Sequence, residues 1–235
     1  MTYAIVDCRM TADIRSAVSE FADEIIELPP HPQLASPVAS HPDMLLWIYG
    51  KHIVTYRDYA KLAREPFCKL SALGYEIIYT EDSPSAEYPK DVSLNCAVVG
   101  NRLICNEKYL SKAIKLIAAE HGLELINVKQ GYAKCSTVTV GENAIITQDP
   151  SIYKAATAHG IDALKISDGG VALRGYDTGF IGGASGALGS HVVFCGNLSL
   201  HADGEKISAF CQTHGKQALS LSHSPLYDYG TVFFV

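Results

Sequence analysis

The side chains best suited to chemistry stand in two short stretches, Ser40-His41-Pro42-Asp43 and Gly131-Tyr132-Ala133-Lys134-Cys135. A cysteine thiolate is a strong nucleophile and an imidazole takes up and returns protons, so Cys135 and His41 suit covalent catalysis with acid–base assistance. Lys134, beside Cys135, and a protonated His41 would each lower the thiol's pKa. In a strand, the i, i+2 spacing of His41 and Asp43 puts both on one face, where Asp43 can orient the imidazole or hold a substrate. Asp91, Ser93 and Asn95 show the same alternation ahead of another apolar run. Asp91, Asn95, Lys134, Asp228, Gly182 and Gly183 complete the candidate binding set.

Each of these residues also has a plainer reading. Cys135 is one of seven cysteines, and a buried cysteine is ordinarily a small hydrophobe. His41-Pro42 makes a rigid start to a strand, because proline holds the preceding residue extended, and Asp43 can cap the same turn. Asp91 and Asn95 follow Tyr88-Pro89 in a loop where polar residues are expected, and Lys134 can simply be solvated. Asp228 lies two residues before Gly230 and favours a hairpin turn there. Gly182 and Gly183, in GYDTGFIGGASG, permit close backbone approach either to a ligand or to neighbouring strands, and the second is favoured.

The elements that must position these residues repeat along the chain. Four segments share one layout: an apolar run, a glycine turn, a returning apolar run, a helical pattern ending in glycine, and a short β-rich run. DMLLWIYGKHIVT, LNCAVVGNRLICN, STVTVGENAIITQ and GGASGALGSHVVFCG open the four copies. Turn glycines fall at Gly50, Gly100, Gly141 and Gly189, and helix-ending glycines at Gly74, Gly122, Gly160 and Gly215. His121, His159 and His214, each just before such a glycine, suit the negative end of a helix and are read as structural. Asp149-Pro150 reads as an N-cap followed by proline at the first helical position. A fifth copy is assembled from both ends: LYDYGTVFFV, a hairpin half around Gly230, joins AIVDCRM, the helical TADIRSAVSEFA and the strand EIIELP. The reading is an α/β fold, one domain over 1–235, with ββαβ modules at about 41–85, 91–130, 134–170, 180–222, and 223–235 joined to 1–30. Pairing of the terminal strands closes a ring without a free sheet edge. In such a ring the polar residues ahead of the strands gather at one mouth of a central channel.

Five ββαβ modules, His-x-Asp opening one of them and a cysteine opening the module two places on, resemble the pentein fold. This is the α/β propeller, with pseudo-fivefold symmetry, of the guanidino-group-modifying enzymes: arginine and agmatine deiminases, dimethylarginine dimethylaminohydrolase and the amidinotransferases. The resemblance implies Cys135 as nucleophile toward a guanidinium or amidine carbon, His41 as acid and then base, and carboxylates such as Asp43 and Asp91 holding the planar cation. It also implies a circular shift of the chain, since the family's His and Cys modules come later. The deiminases' acidic Glu-Gly-Gly-Asp/Asn stretch has only Ile181-Gly182-Gly183-Ala184 as an analogue here, with Ile and Ala in the acidic places. The superfamily's non-enzymatic branch, a ribosome anti-association factor, supplies the alternative of a binding protein without catalysis.

Composition narrows the partners. The chain of 235 residues carries a net charge of −6 without basic blocks, which argues against nucleic acid and anionic membranes. No apolar run reaches the length of a spanning helix, and MTYAIVDCRM lacks the layout of a signal peptide, so a cytoplasmic protein is expected. Seven cysteines without a C-x-x-C pair suit reduced thiols. His31, His52, His191, His201 and His223 show no metal-ligand spacing, so neither metal nor cofactor is predicted, and a small-molecule substrate is.

Overall fold

In the computed structural model, which describes residues 1–235, the repeated pattern folds as five three-stranded sheets with a common strand order. β1 (Tyr3–Asp7) leads through α1 (Ala12–Val18) to its parallel partner β2 (Glu24–Leu28). A single helical turn, α2 (Pro42–Leu45), runs into the hairpin of β3 (Leu46–Tyr49) and β4 (His52–Tyr56). α3 (Arg57–Leu62) and α4 (Arg64–Ala72) then carry the chain to β5 (Glu76–Thr80), parallel to β4. The same order recurs in β6 (Ala97–Val99), β7 (Arg102–Cys105), α5 (Lys112–Glu120) and β8 (Glu124–Asn127). It recurs again in β9 (Thr137–Gly141), β10 (Ala144–Thr147), α6 (Pro150–Ala158) and β11 (Asp162–Lys165). A short β12 (Val171–Ala172) precedes β13 (Ser185–Leu188), β14 (His191–Phe194), α7 (Gly204–Thr213) and β15 (Gln217–Ser220). The chain ends with β16 (Leu226–Tyr227), parallel to β12, and β17 (Phe233–Phe234), antiparallel to β1.

Local chemistry accounts for these elements. The middle strands β1, β4, β7, β10 and β14 are almost wholly buried, as their unbroken apolar runs require, whereas their parallel neighbours β2, β5, β8, β11 and β15 keep exposed polar positions. Helices present apolar residues at helical spacing to their sheets: Ile114, Ile117 and Ala118 of α5, and Ile152 and Ala156 of α6, are buried. The Asp149 carboxylate accepts hydrogen bonds from the Ser151 and Ile152 amides, and His121, His159 and His214 occupy helix C-caps. Gly50, Gly100 and Gly189 turn with φ between +53° and +58°.

Three local expectations are corrected. Gly141 is not a positive-φ turn: it stays in β9, and a register shift between Ala144 and Ile145 absorbs the turn. Gly230 makes no hairpin. The fifth antiparallel pair is β17 with β1, so the chain's own ends stand where the turn would be, and residues 226–227 belong to the β12–β16 pair. His41 and Asp43 do not share a strand face, because residues 42–45 coil into one helical turn with His41 at its N-cap and proline at the first position.

The segments that lead into β3, β6, β9, β13 and β17 meet one another in a closed cycle of hydrogen bonds. The Asp43 amide donates to the Gly230 carbonyl (3.0 Å), the Gly183 amide to the Cys135 carbonyl (2.9 Å), and the Thr231 amide to the Gly183 carbonyl (2.8 Å). Asn95 closes the remaining gap with its side chain. Its Oδ1 accepts from the Lys134 and Cys135 amides (2.8 and 3.2 Å), and its Nδ2 donates to the Asp43 carbonyl (3.0 Å). All but Lys134, which is partly buried, are shielded from water, so each of these bonds removes a polar group that would otherwise be costly to bury.

Candidate active site

Cys135 sits in the tight turn before β9, held where the Ser136 amide donates to the Tyr132 carbonyl and the Thr137 amide to that of Lys134, each at 3.0 Å. With Oδ1 committed to two amides, the Asn95 side chain has only one orientation, and its Nδ2 points at Cys135 Sγ at 3.0 Å. The thiol faces a cavity of about 160 Å³ lined by Val38, His41, Met44, Tyr132, Cys135, Leu173, Tyr176, Thr178, Phe180 and Asp228. A cavity of this size holds one small ring or head group, as a dry cavity of about 150 Å³ holds benzene. Three aromatic rings, a thiol, an imidazole and a carboxylate thus converge on a space fit for a planar cation.

His41 and Asp228 also form the partition to a second, larger cavity of about 610 Å³, which Asp7, Arg9, Arg174 and Tyr229 help to line. His41 Nδ1 stands 3.6 Å from Asp228 Oδ1, and Nε2 stands 3.8 Å from Asp7 Oδ2. Both separations are beyond hydrogen-bond length. Asp228 is anchored by the Phe180 and Gly230 amides, each 2.9 Å from a carboxylate oxygen. Gly230 has no side chain because His41 packs directly on its backbone.

Charge in this site follows from burial. The Asp228 carboxyl is pushed up to about 7, chiefly by desolvation and then by the Asp43 charge. Desolvation, then the Arg9 cation, brings His41 down to about 3. The carboxylates near it do little to reverse this, since Asp7 is engaged by Arg9 in a paired salt bridge and Asp228 is about half protonated at neutral pH. Cys135 is raised well above an ordinary thiol by burial and by the nearby charges of Asp43 and Asp228. The expected activation of the thiol by a protonated His41 is therefore absent at rest, because His41 is neutral; Lys134, whose own pKa burial lowers, directs its ammonium away from the thiol.

Of the residues singled out from sequence, Cys135, His41 and Asp228 line the small cavity. Asn95 touches the thiol but belongs to the hydrogen-bond cycle. Asp43 neither orients His41 nor lines the cavity. It lies beneath Cys135, with Thr231 Oγ1 donating to its Oδ2 at 2.9 Å and Oδ1 buried without a partner. Asp91 stands one layer out, accepting a 2.6 Å hydrogen bond from the Tyr132 hydroxyl. Lys134 turns away from the thiol toward Thr231 Oγ1 (3.0 Å) and the Thr137 carbonyl (3.3 Å). Gly182 and Gly183 are places of close backbone approach: a Cβ on Gly182 would stand 2.5 Å from the carbonyl oxygens of Lys134, Cys135 and Thr137. Three contributors escaped the sequence reading. Asp7 ends a strand from the far end of the chain, and Tyr176 sits in a loop without a pattern. Thr231 carries a visible signal only in structure, as the one non-glycine residue with positive φ (72°).

The fold that this site sits on is shared with solved structures of guanidino-modifying enzymes. A mutant of dimethylarginine dimethylaminohydrolase from Pseudomonas aeruginosa, complexed with citrulline, superposes with a TM-score of 0.57 at 11% identity, covering 94% of this chain and 91% of that one. Agmatine deiminase from C. jejuni matches at 0.54 and 8% identity over 94% and 87% of the two chains. Inosamine-phosphate amidinotransferase from Streptomyces griseus matches at 0.51 and 10% identity over 91% and 76%. The class is thus the pentein fold. Within it, the chain belongs to a family of unknown function, DUF6873, which matches residues 5–233. No curated protein matches the sequence. No helix is long and apolar enough to cross a membrane.

Proposed function

We propose that this chain is a single pentein domain over residues 1–235, its five sheets set as blades about one axis, and that it acts on a small guanidino- or amidino-type compound with Cys135 as nucleophile. The observation that carries this reading is the convergence of Cys135, His41 and Asp228, from distant parts of the chain, on one head-group-sized cavity walled by aromatic rings. Asp228 and the rings hold the cation, whose positive charge offsets the burial and the carboxylate charges that keep the thiol protonated. Neutral His41 accepts the thiol proton as the Sγ–carbon bond forms, then returns it to the departing amine as the carbon–nitrogen bond breaks. Water from the larger cavity beyond His41 attacks the same carbon, His41 takes its proton, and cleavage of the Sγ–carbon bond releases the product and restores the thiol.

The test is a panel of guanidino and amidino compounds scored for ammonia, amine or urea release, with Cys135→Ala alongside. Turnover by the parent chain, abolished in Cys135→Ala, is expected. Turnover that survives the substitution removes Cys135 from the mechanism. Binding of a panel compound without turnover favours the alternative of a non-catalytic binding protein, which the high resting pKa of the thiol also suits.

A further inference from the structure

Lys134 and Cys135 are neighbours in sequence, yet they serve opposite sides of the hydrogen-bond cycle. On the side away from the thiol, the first strands of the sheets enclose a separate cavity of about 160 Å³. Trp47, Val98, Val232 and Phe234 supply apolar wall, Ala187 stands at its exposed rim, and Lys134 lines it without any acidic side chain. Two residues that line this cavity, Lys134 and Trp47, each carry an N–H without a protein acceptor. The Lys134 ammonium uses Thr231 Oγ1 and the Thr137 carbonyl, leaving a third N–H. Trp47, 2% exposed, has an indole N–H without any partner. A buried donor left unpaired costs about 1–3 kcal/mol, which a ligand acceptor would recover.

We propose that this cavity is a second binding site, for a small monocarboxylate with a short apolar tail. The carboxylate takes the free Lys134 and Trp47 donors, and the tail lies against Val98, Val232 and Phe234. A cation is refused by Lys134, and a neutral alcohol lacks the charge that makes the lysine contact strong. This assignment does not depend on any chemistry at Cys135.

Trp47 is the chain's single tryptophan, so its fluorescence reports occupancy directly. The experiment titrates the full chain with butyrate, butanol and butylamine. A saturable change with butyrate is expected, half-complete on the order of 1 mM for so few ligand atoms. Butanol should bind at least tenfold more weakly and butylamine not at all. Ala187→Phe, which plugs the rim, should abolish the response, and Lys134→Met should weaken it tenfold or more. If Lys134→Met does not fold, as judged by circular dichroism, the rim variant and the three-ligand comparison still decide. No saturable response to butyrate, equal responses to all three compounds, or a butyrate response intact in folded Ala187→Phe overturns the proposal.

Discussion

The two cavities on either side of the hydrogen-bond cycle are alike in size and opposite in chemistry. One gathers a thiol, an imidazole and a carboxylate; the other gathers apolar strand residues and one lysine. Their separation comes from backbone, because consecutive residues of a tight turn send Lys134 one way and Cys135 the other. Charges of opposite sign are thereby kept in different compartments while staying close enough to influence each other's ionisation. Such a partition depends on the rigidity of the cycle.

Gly182→Ala is expected to have the largest effect. The new methyl meets three backbone carbonyls at 2.5 Å, among them that of Cys135, which accepts the Gly183 amide in the cycle. A loss of roughly 4 kcal/mol, or failure to fold, is expected from such overpacking. Gly189→Ala is the control: nothing lies within 4 Å, and only its φ of +53° opposes a side chain, a cost of about 1 kcal/mol. Denaturant midpoints that differ little between the two would show that the cycle yields. Asn95→Ala follows, at about 3 kcal/mol, because it strands the Lys134 and Cys135 amides and the Asp43 carbonyl together. Retained stability in that variant would mean that water enters the partition.

How much of this could be read beforehand divides along the same line. Repeats, helix caps and the turn glycines other than Gly141 and Gly230 are local patterns; the union of the chain ends is not local but followed from the incomplete fifth copy, and β1 does pair with β17. That His41 and Cys135 would line one cavity was legible from the spacing of the modules. Which way each side chain points was not. Asp43 turned from His41 to Thr231 because Pro42 starts a helical turn instead of a strand, and the composition HPDM permits either. Asp7 and Asp228 reach His41 from opposite ends of the chain, so no window of sequence contains the contact.

The ionisation pattern gives the third prediction, confined to the thiol side. Asp228 holds its proton up to about 7 when folded but releases it near 3.8 when unfolded, so its contribution makes stability fall as pH rises between those values. His41 does the reverse: it charges near 6.5 when unfolded but only near 3 when folded, so stability rises from about 3 to 6.5. In the parent chain the two slopes oppose each other across most of this range. Asp228→Asn should leave the rising slope and His41→Asn the falling one, each at most about 1.4 kcal/mol per pH unit. Urea titrations across pH 4–7 with the same slope in both variants would refute the assignment of opposite shifts.

The smallest effect should come from Thr231, which lines the apolar cavity yet donates its hydroxyl to Asp43 on the other side. Its backbone is left-handed at φ 72°, where a β-branched side chain is strained. Thr231→Ser keeps the hydroxyl and sheds the branch, so stability should hold or rise by up to about 1 kcal/mol. Thr231→Val keeps the branch and the shape but removes the hydroxyl that donates to Asp43 Oδ2. A loss of about 2 kcal/mol is expected there. The difference between the two variants isolates the hydroxyl. Were serine as costly as valine, the methyl would be what holds Thr231 in place, and the Asp43 contact would be incidental to the partition.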